Sequence, residues 1–194
     1  MSAPPSELRE VLSGSFIWQQ DGVLTPAQCQ AIIERFEAHP GKAPGRTGAD
    51  AGERPELKRS TDLALAGPEW QDVDRWLFSS LSAALREMQR HYPYFRGRFK
   101  DLGYAVQRTD EGEYYHWHVD ADSTVLADRQ LVAIWYLNDV AGPGGETEFL
   151  HQGVKIQPAT GRLILFPPFW THQHRGVTLS RGVKYLATTW IVFA

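Results

Sequence analysis

His118-Val119-Asp120 places an imidazole and a carboxylate two positions apart. On an extended strand side chains alternate between faces with period two, so the two would project to the same side. A second histidine from a distant strand, His172 or His174, would complete a set of two histidines and one carboxylate. Three ligands on one side leave the rest of the coordination sphere of a non-haem Fe(II) open for chemistry, although the same donors also hold Zn, Mn or Co. The other reading is a strand histidine hydrogen-bonded to a neighbouring carboxylate, and a triplet this short does not by itself decide between them.

The company the triplet keeps sharpens the reading. Arg129 opens the run Arg129-Gln-Leu-Val-Ala-Ile-Trp-Tyr-Leu-Asn-Asp139, followed by Gly144-Gly-Glu-Thr-Glu-Phe149. Then come His174-Arg-Gly176, Gly182-Val-Lys184-Tyr185 and Trp190. In this order and spacing the residues resemble the prolyl 4-hydroxylase-like branch of the Fe(II)/2-oxoglutarate oxygenases, whose pattern is His-x-Asp, a Tyr-Leu-Asn strand, Gly-Gly-Glu-Thr-x-Phe, then His-x-Gly and Gly-x-Lys. The resemblance runs from Leu102 to Ala194, with a looser echo between Phe16 and Phe36.

The resemblance implies that His118, Asp120 and His174 ligate Fe(II), because of the two C-terminal histidines only His174 is followed by Gly176 and, ten residues on, Lys184. His172 and His116 are left with supporting, mouth or surface roles, and His151 with an exposed one. Lys184 is expected to pair with the distal carboxylate of 2-oxoglutarate. A lysine among apolar strand residues needs such a partner if it points inward, and the alternative is an outward, snorkelling side chain. Thr147 resembles a threonine that helps hold the same carboxylate. Many relatives carry a cosubstrate-binding tyrosine about nine residues before the first histidine; here Arg108 and Thr109 occupy that place, which makes Thr109 a candidate cosubstrate contact and changes the pattern. Substrate contacts are expected from Tyr115, Arg175 and Trp190, with a packed aromatic as the alternative for Tyr115, wall packing for Trp190 and a solvent-exposed side chain for Arg175.

The implied activity is O2-dependent hydroxylation of an unactivated C–H bond, coupled to conversion of 2-oxoglutarate to succinate and carbon dioxide. A prolyl residue in a peptide or protein is the expected substrate, with a free amino acid or small metabolite as the alternative. From other classes, a non-catalytic sensor and a cupin-like metalloenzyme that uses no oxo acid remain.

Composition bounds the rest. The chain of 194 residues has the length of one domain able to bury a core. A formal net charge of -3 offers no basic footprint for nucleic acid. A single cysteine, Cys29, excludes an internal disulfide and points to a reducing, cytoplasmic setting, and no run reaches membrane-span length. A monomer or homodimer is expected.

The elements that must position these groups can be read in order. Residues 1–14 form a loose tail and Phe16 to Trp18 a short strand. Thr25-Pro26-Ala27-Gln28 sets a helix start with a capping box, and Cys29, Ile32, Ile33 and Phe36 form its apolar stripe. Residues 39–58 are polar and aperiodic, a long loop and candidate lid. A second helix spans Pro68 to His91, with Val73, Trp76, Leu77, Leu81, Ala84, Leu85 and Met88 on one face. Short strands follow at 102–107, 114–119, 131–137, 147–150, 161–166 and 184–193, without helical pattern between them. The expected fold is therefore α+β and mainly β, a single double-stranded β-helix (jelly-roll) domain with N-terminal bracing helices.

Overall fold

The computed structural model describes residues 5–194. Two antiparallel sheets face one another. The larger has nine strands, in the order Arg9–Glu10, Trp18–Gln20, Arg162–Phe166, Arg129–Tyr136, Val183–Phe193, Ala105–Asp110, Thr61–Ala64 and Ala43–Pro44, with Phe99–Asp101 beside the far end of Val183–Phe193. The smaller has four, in the order Val154–Ile156, Thr147–Phe149, His174–Gly176 and Tyr115–His118. This is the jelly roll that the resemblance implies.

Alternation on the central strands explains how one sheet serves two cores. Along Arg129–Tyr136, Leu131, Ala133 and Trp135 face the helices, while Val132, Ile134 and Tyr136 face the smaller sheet. Both faces are covered, so the strand reads as an unbroken apolar run. Trp135 and Tyr136 are fully buried on opposite sides, each removing apolar area worth about 2 kcal/mol from water. On Val183–Phe193 the same alternation sends Ala187 and Ile191 toward the helices, and Lys184, Leu186, Thr188 and Trp190 toward the interior.

Two helices cover the outer face. Helix α1, Pro26–Ala38, starts with Thr25 accepting from Gln28 N while the Gln28 side chain accepts from Thr25 N, the reciprocal box that the sequence predicts. Helix α2, Gln71–His91, buries Val73, Leu77, Leu81, Ala84 and Met88, and its predicted first turn is a separate 3-10 turn, Pro68–Trp70. An Arg35–Asp72 ion pair at 2.7 Å ties the helices together. Cys29 is buried on α1, and burial pushes its thiol up to about 11, so it packs and does not react.

Two segments carry more order than the sequence suggests. Of the segment read as a loose tail, residues 1–4 lie outside the described residues; beyond them Arg9–Glu10 pairs with Trp18–Gln20, and Leu8 is buried. Within 39–58, Arg46–Thr47 and Gly52–Glu53 form a two-stranded ribbon, and Ala43–Pro44 joins the large sheet. Arg54 clamps the ribbon's turn by donating to the Thr47 carbonyl and to Asp50, both at 2.7 Å. Alternating hydrophobicity is missing from these short edge pieces because they hang over the cavity and bury little. No helix among the described residues is long and apolar enough to cross a membrane.

Candidate metal centre and its cavity

His118 and His174 are direct cross-strand partners in the smaller sheet, and their ring centroids lie 4.2 Å apart. Asp120 follows the end of its strand, held by its own N–H and that of Ala121 donating to the Pro168 carbonyl, each at 3.0 Å. One donor atom from each of His118, Asp120 and His174 falls within 4.8 Å of the others.

Each imidazole is oriented by the carbonyl two residues before it. His118 Nδ1 donates to His116 O at 2.8 Å, and His174 Nδ1 to His172 O at 2.9 Å. A carbonyl only accepts, so in each neutral ring Nδ1 carries the proton and Nε2 presents a lone pair. His174 Nε2 lies 3.3 Å from Asp120 Oδ2, a buried oxygen with no hydrogen-bond partner. Asp120 Oδ1 accepts from Trp190 Nε1 at 3.2 Å. Two bare nitrogens and an orphaned carboxylate oxygen facing one another are what a divalent cation resolves, and the nitrogen and oxygen donors suit Fe(II). The His118 ring lies inside the cavity but keeps some contact with solvent; desolvation, then His174 beside it, push it down to about 3, so the ring stays neutral.

The strand carrying His118 is not regular. His174 opposes His118 while Gly176 opposes Tyr115, so three residue steps on one strand face two on the other. The extra residue is a bulge, a device that re-aims side chains beside functional sites. It turns Tyr115 and His118 to the same side, with rings stacked at 3.5 Å, and leaves His116 exposed against Tyr114. Of the roles left open for His116, the surface one holds, although regular alternation alone would put it on the face of His118.

The triad opens into a cavity of about 950 Å³ lined also by Lys184, Thr147, Thr109, Tyr115 and Trp190. Lys184 is buried, and its Nζ donates to the carbonyl of Gly145 at 3.0 Å. Burial pushes the ammonium down to about 8, partly countered by Glu146. Gly144 makes the approach of this loop possible: at φ 94° a Cβ would meet the Thr178 carbonyl at 2.3 Å. Thr147 Oγ1 accepts from the buried hydroxyl of Tyr136 at 2.6 Å. Arg108, between the cavity-lining Gln107 and Thr109 and so on the strand's other face, points outward to Glu37.

Arg175 is not brought to the cavity. It pairs with Glu148 at 2.6 Å and lies 4.6 Å over the Trp117 ring on the outer face of the smaller sheet, as strand alternation after His174 requires. His151 is exposed, and His172 is buried with its ring turned away from the triad.

Sequence reasoning missed two cavity groups. Arg129, noted only as the start of a strand, lies 3.9 Å over Trp190 and donates to the Asp120 carbonyl at 2.7 Å. Lys58 is buried, paired with Asp62 at 2.6 Å, and sits 5.2 Å over the Tyr115 ring. A charged residue opening an apolar strand was a legible signal for Arg129; nothing marked Lys58 out from its polar neighbours.

With this geometry in place, likeness to known proteins can be stated. Residues 104–192 match the 2OG-Fe(II) oxygenase superfamily. A PKHD-type hydroxylase of Synechococcus sp. (strain CC9902) is 34% identical over 89 residues, which cover 44% of this chain and 39% of that protein, so the chain matches well under half of its curated relative's length. Among solved structures, a prolyl hydroxylase of Trichoplax adhaerens in complex with a hypoxia inducible factor oxygen degradation domain peptide fragment has a TM-score of 0.78 at 17% identity, covering 93% of this chain and 85% of that one. A Pseudomonas putida prolyl-4-hydroxylase has a TM-score of 0.73 at 20% identity, covering 93% and 95%. A viral collagen prolyl hydroxylase from Paramecium Bursaria Chlorella virus-1 has a TM-score of 0.70 at 22% identity, covering 95% and 100%. At such identities these structures establish a shared fold.

Proposed function

We propose that this chain, whose residues 104–192 match the 2OG-Fe(II) oxygenase superfamily, is a member of it and a dioxygenase that hydroxylates an unactivated C–H bond of a prolyl residue in a peptide or protein. The observation that carries the reading is the buried Asp120 Oδ2 without a partner, facing the proton-free nitrogens of His118 and His174 beneath an open cavity.

When bound, Fe(II) and 2-oxoglutarate supply O2 activation coupled to oxidative decarboxylation of the oxo acid. His118, Asp120 and His174 would hold the metal from one side and leave the cavity side free. Lys184 would meet the distal carboxylate of 2-oxoglutarate, since in its place the ammonium now has only a neutral carbonyl as acceptor. Thr147 and Thr109 line the same cavity and are proposed as further contacts. Trp190 fixes the free rotation of the Asp120 carboxylate, and Tyr115 forms the floor beside His118. The Arg46–Thr47 and Gly52–Glu53 ribbon stands over this space as a lid that limits water around an extended peptide. The choice of a prolyl peptide rests on the fold shared with prolyl hydroxylases and on the size of the open cavity. Buried Cys29 as the only cysteine fits a reducing, cytoplasmic compartment.

An anaerobic titration of metal-free protein with Fe(II) and 2-oxoglutarate tests the metal and cosubstrate together, read by the visible charge-transfer band of the chelate. The band is expected in the parent and absent in His174→Ala and Lys184→Ala. Aerobic incubation with proline-rich peptides and with free L-proline then tests the substrate. A mass gain of one oxygen atom on a peptide supports the reading; a gain on free proline alone, or on neither, overturns the peptide assignment.

A further inference from the structure

His172 is a buried imidazole that the chemistry above does not use, and its contacts lead from the metal centre to the N-terminal segment. Its Nε2 lies 2.9 Å from the carbonyl of Ser15, and its Nδ1 lies 2.9 Å from Thr171 Oγ1. The carbonyl can only accept, so Nε2 carries the proton and Nδ1 accepts from the threonine hydroxyl. Both ring nitrogens are satisfied, and the ring is fixed in one orientation. The backbone carbonyl of the same residue accepts from His174 Nδ1 and so sets the rotation of that imidazole.

The segment that offers Ser15 is itself tightly determined. The Glu10 carboxylate accepts from the N–H groups of Gly14 at 3.0 Å and Phe16 at 2.6 Å, and Val11 N donates to Ile17 O at 2.8 Å. Ser15 N donates to Leu12 O at 2.9 Å, and Ser15 is buried. Phe16 holds φ at 56°, the left-handed region that a non-glycine residue occupies only under strain. The chain accepts this strain at the residue directly after the carbonyl that meets His172.

We propose that residues 10–16 and His172 form a strut that positions the ligand His174, so that a segment far outside the matched family region helps set metal affinity. His172 is a positioning residue: it acts through the turn Trp170–His172 and the carbonyl that orients His174, and touches neither metal nor substrate. The inference rests on the assignment of His118, Asp120 and His174 as a metal site.

Groups one step removed from a metal commonly change affinity by about 10–100-fold when lost. The test is equilibrium binding of Co(II), followed by its visible absorption under argon, with apo-protein unfolding measured in parallel. His172→Phe keeps the ring volume and removes both hydrogen bonds; at least about tenfold weaker Co(II) binding is expected in protein that remains folded. His172→Gln keeps a donor for Ser15 O and an acceptor for Thr171, and should restore affinity to within a few-fold of the parent. Glu10→Gln weakens the grip on Gly14 and Phe16 from a site remote from the metal, and should reproduce part of the loss even if His172→Phe fails to fold. Unchanged Co(II) affinity in folded His172→Phe and Glu10→Gln overturns the strut while leaving the metal site standing. Equal losses in His172→Phe and His172→Gln also overturn it, since a role carried by the two hydrogen bonds requires rescue by His172→Gln. A parent protein that binds no Co(II) overturns the metal assignment and this inference with it.

Discussion

Asp120 Oδ2 and His174 Nε2 face one another across 3.3 Å as two acceptors with no proton between them. In the metal-free protein this contact is unfavourable, because a buried acceptor without a donor forfeits about 1–3 kcal/mol. Asp120→Asn supplies an amide N–H toward His174 Nε2 and removes a buried charge. The metal-free variant is therefore expected to be as stable as the parent or up to about 1 kcal/mol more stable. It should also lose the metal-dependent stabilisation of the parent, about 2.7 kcal/mol at a hundredfold excess over Kd. Thermal unfolding with and without Fe(II) under argon reads both effects, and a variant that is less stable without metal would argue that the pair shares a proton instead.

Lys184 gives the same argument with the opposite charge. Its folded-state pKa is lowered by burial to about 8, from an ordinary value near 10.5. Below about pH 8 the ammonium is charged in both folded and unfolded states, so the full burial penalty applies, on the order of 3 kcal/mol. Between pH 8 and 10.5 the folded state sheds the proton first, and stability should rise across that window as the penalty disappears. Urea unfolding from pH 7 to 10 checks the sign; Lys184→Met should abolish the rise and be more stable than the parent at pH 7. Binding of 2-oxoglutarate should follow the reverse course, weakening above pH 8 in the parent because the anion needs the ammonium.

Trp190 links the cavity wall to Asp120. Its Nε1 donates to Asp120 Oδ1 at 3.2 Å, and the Arg129 guanidinium lies over its ring at 3.9 Å. Trp190→Phe keeps most of the apolar surface but leaves Oδ1 without its donor. Metal affinity should fall by roughly tenfold, with apo stability changed by about 1 kcal/mol. Equal affinity in the variant would reduce Trp190 to packing. Calorimetric Co(II) titration at fixed pH separates the outcomes.

That His118, Asp120 and His174 meet and that Lys184 is buried was legible from strand alternation together with the family resemblance, which alone preferred His174 to His172. The capping box at Thr25 and the apolar face of α2 were legible because local chemistry and core packing agree. Of the roles left open for His116 the structure takes the surface one, because a bulge adds one residue to Tyr115–His118, and no residue type there announces it. Arg175 could be excluded from the cavity by parity alone, since it follows a ligand on the same strand. The ribbon over residues 46–53 was hidden because its order comes from polar contacts of Arg54 with Thr47 and Asp50 and from one long-range contact, Thr47 with Tyr115, none of which hydrophobic period encodes.

That last contact is a single hydrogen bond, Thr47 Oγ1 to Tyr115 OH at 2.9 Å, and it joins the ribbon to the ring stacked on His118. Desolvation pushes the Tyr115 hydroxyl up to about 12, so it stays protonated and the bond persists through the physiological range. Tyr115→Phe removes the bond and keeps the stacked ring. Global stability should change by only about 0.5–1.5 kcal/mol, because the ribbon buries little and Arg54 still clamps its turn. Local opening should change more. Cleavage by trypsin after Arg46, which Thr47 follows, proceeds through the opened ribbon and tracks its population when opening is fast. A loss of about 1 kcal/mol at this contact should accelerate that cleavage roughly fivefold, while cleavage elsewhere stays unchanged. A cleavage rate equal to that of the parent would mean that the Arg54 clamp alone holds the ribbon, and that Tyr115 serves only as the floor beside His118.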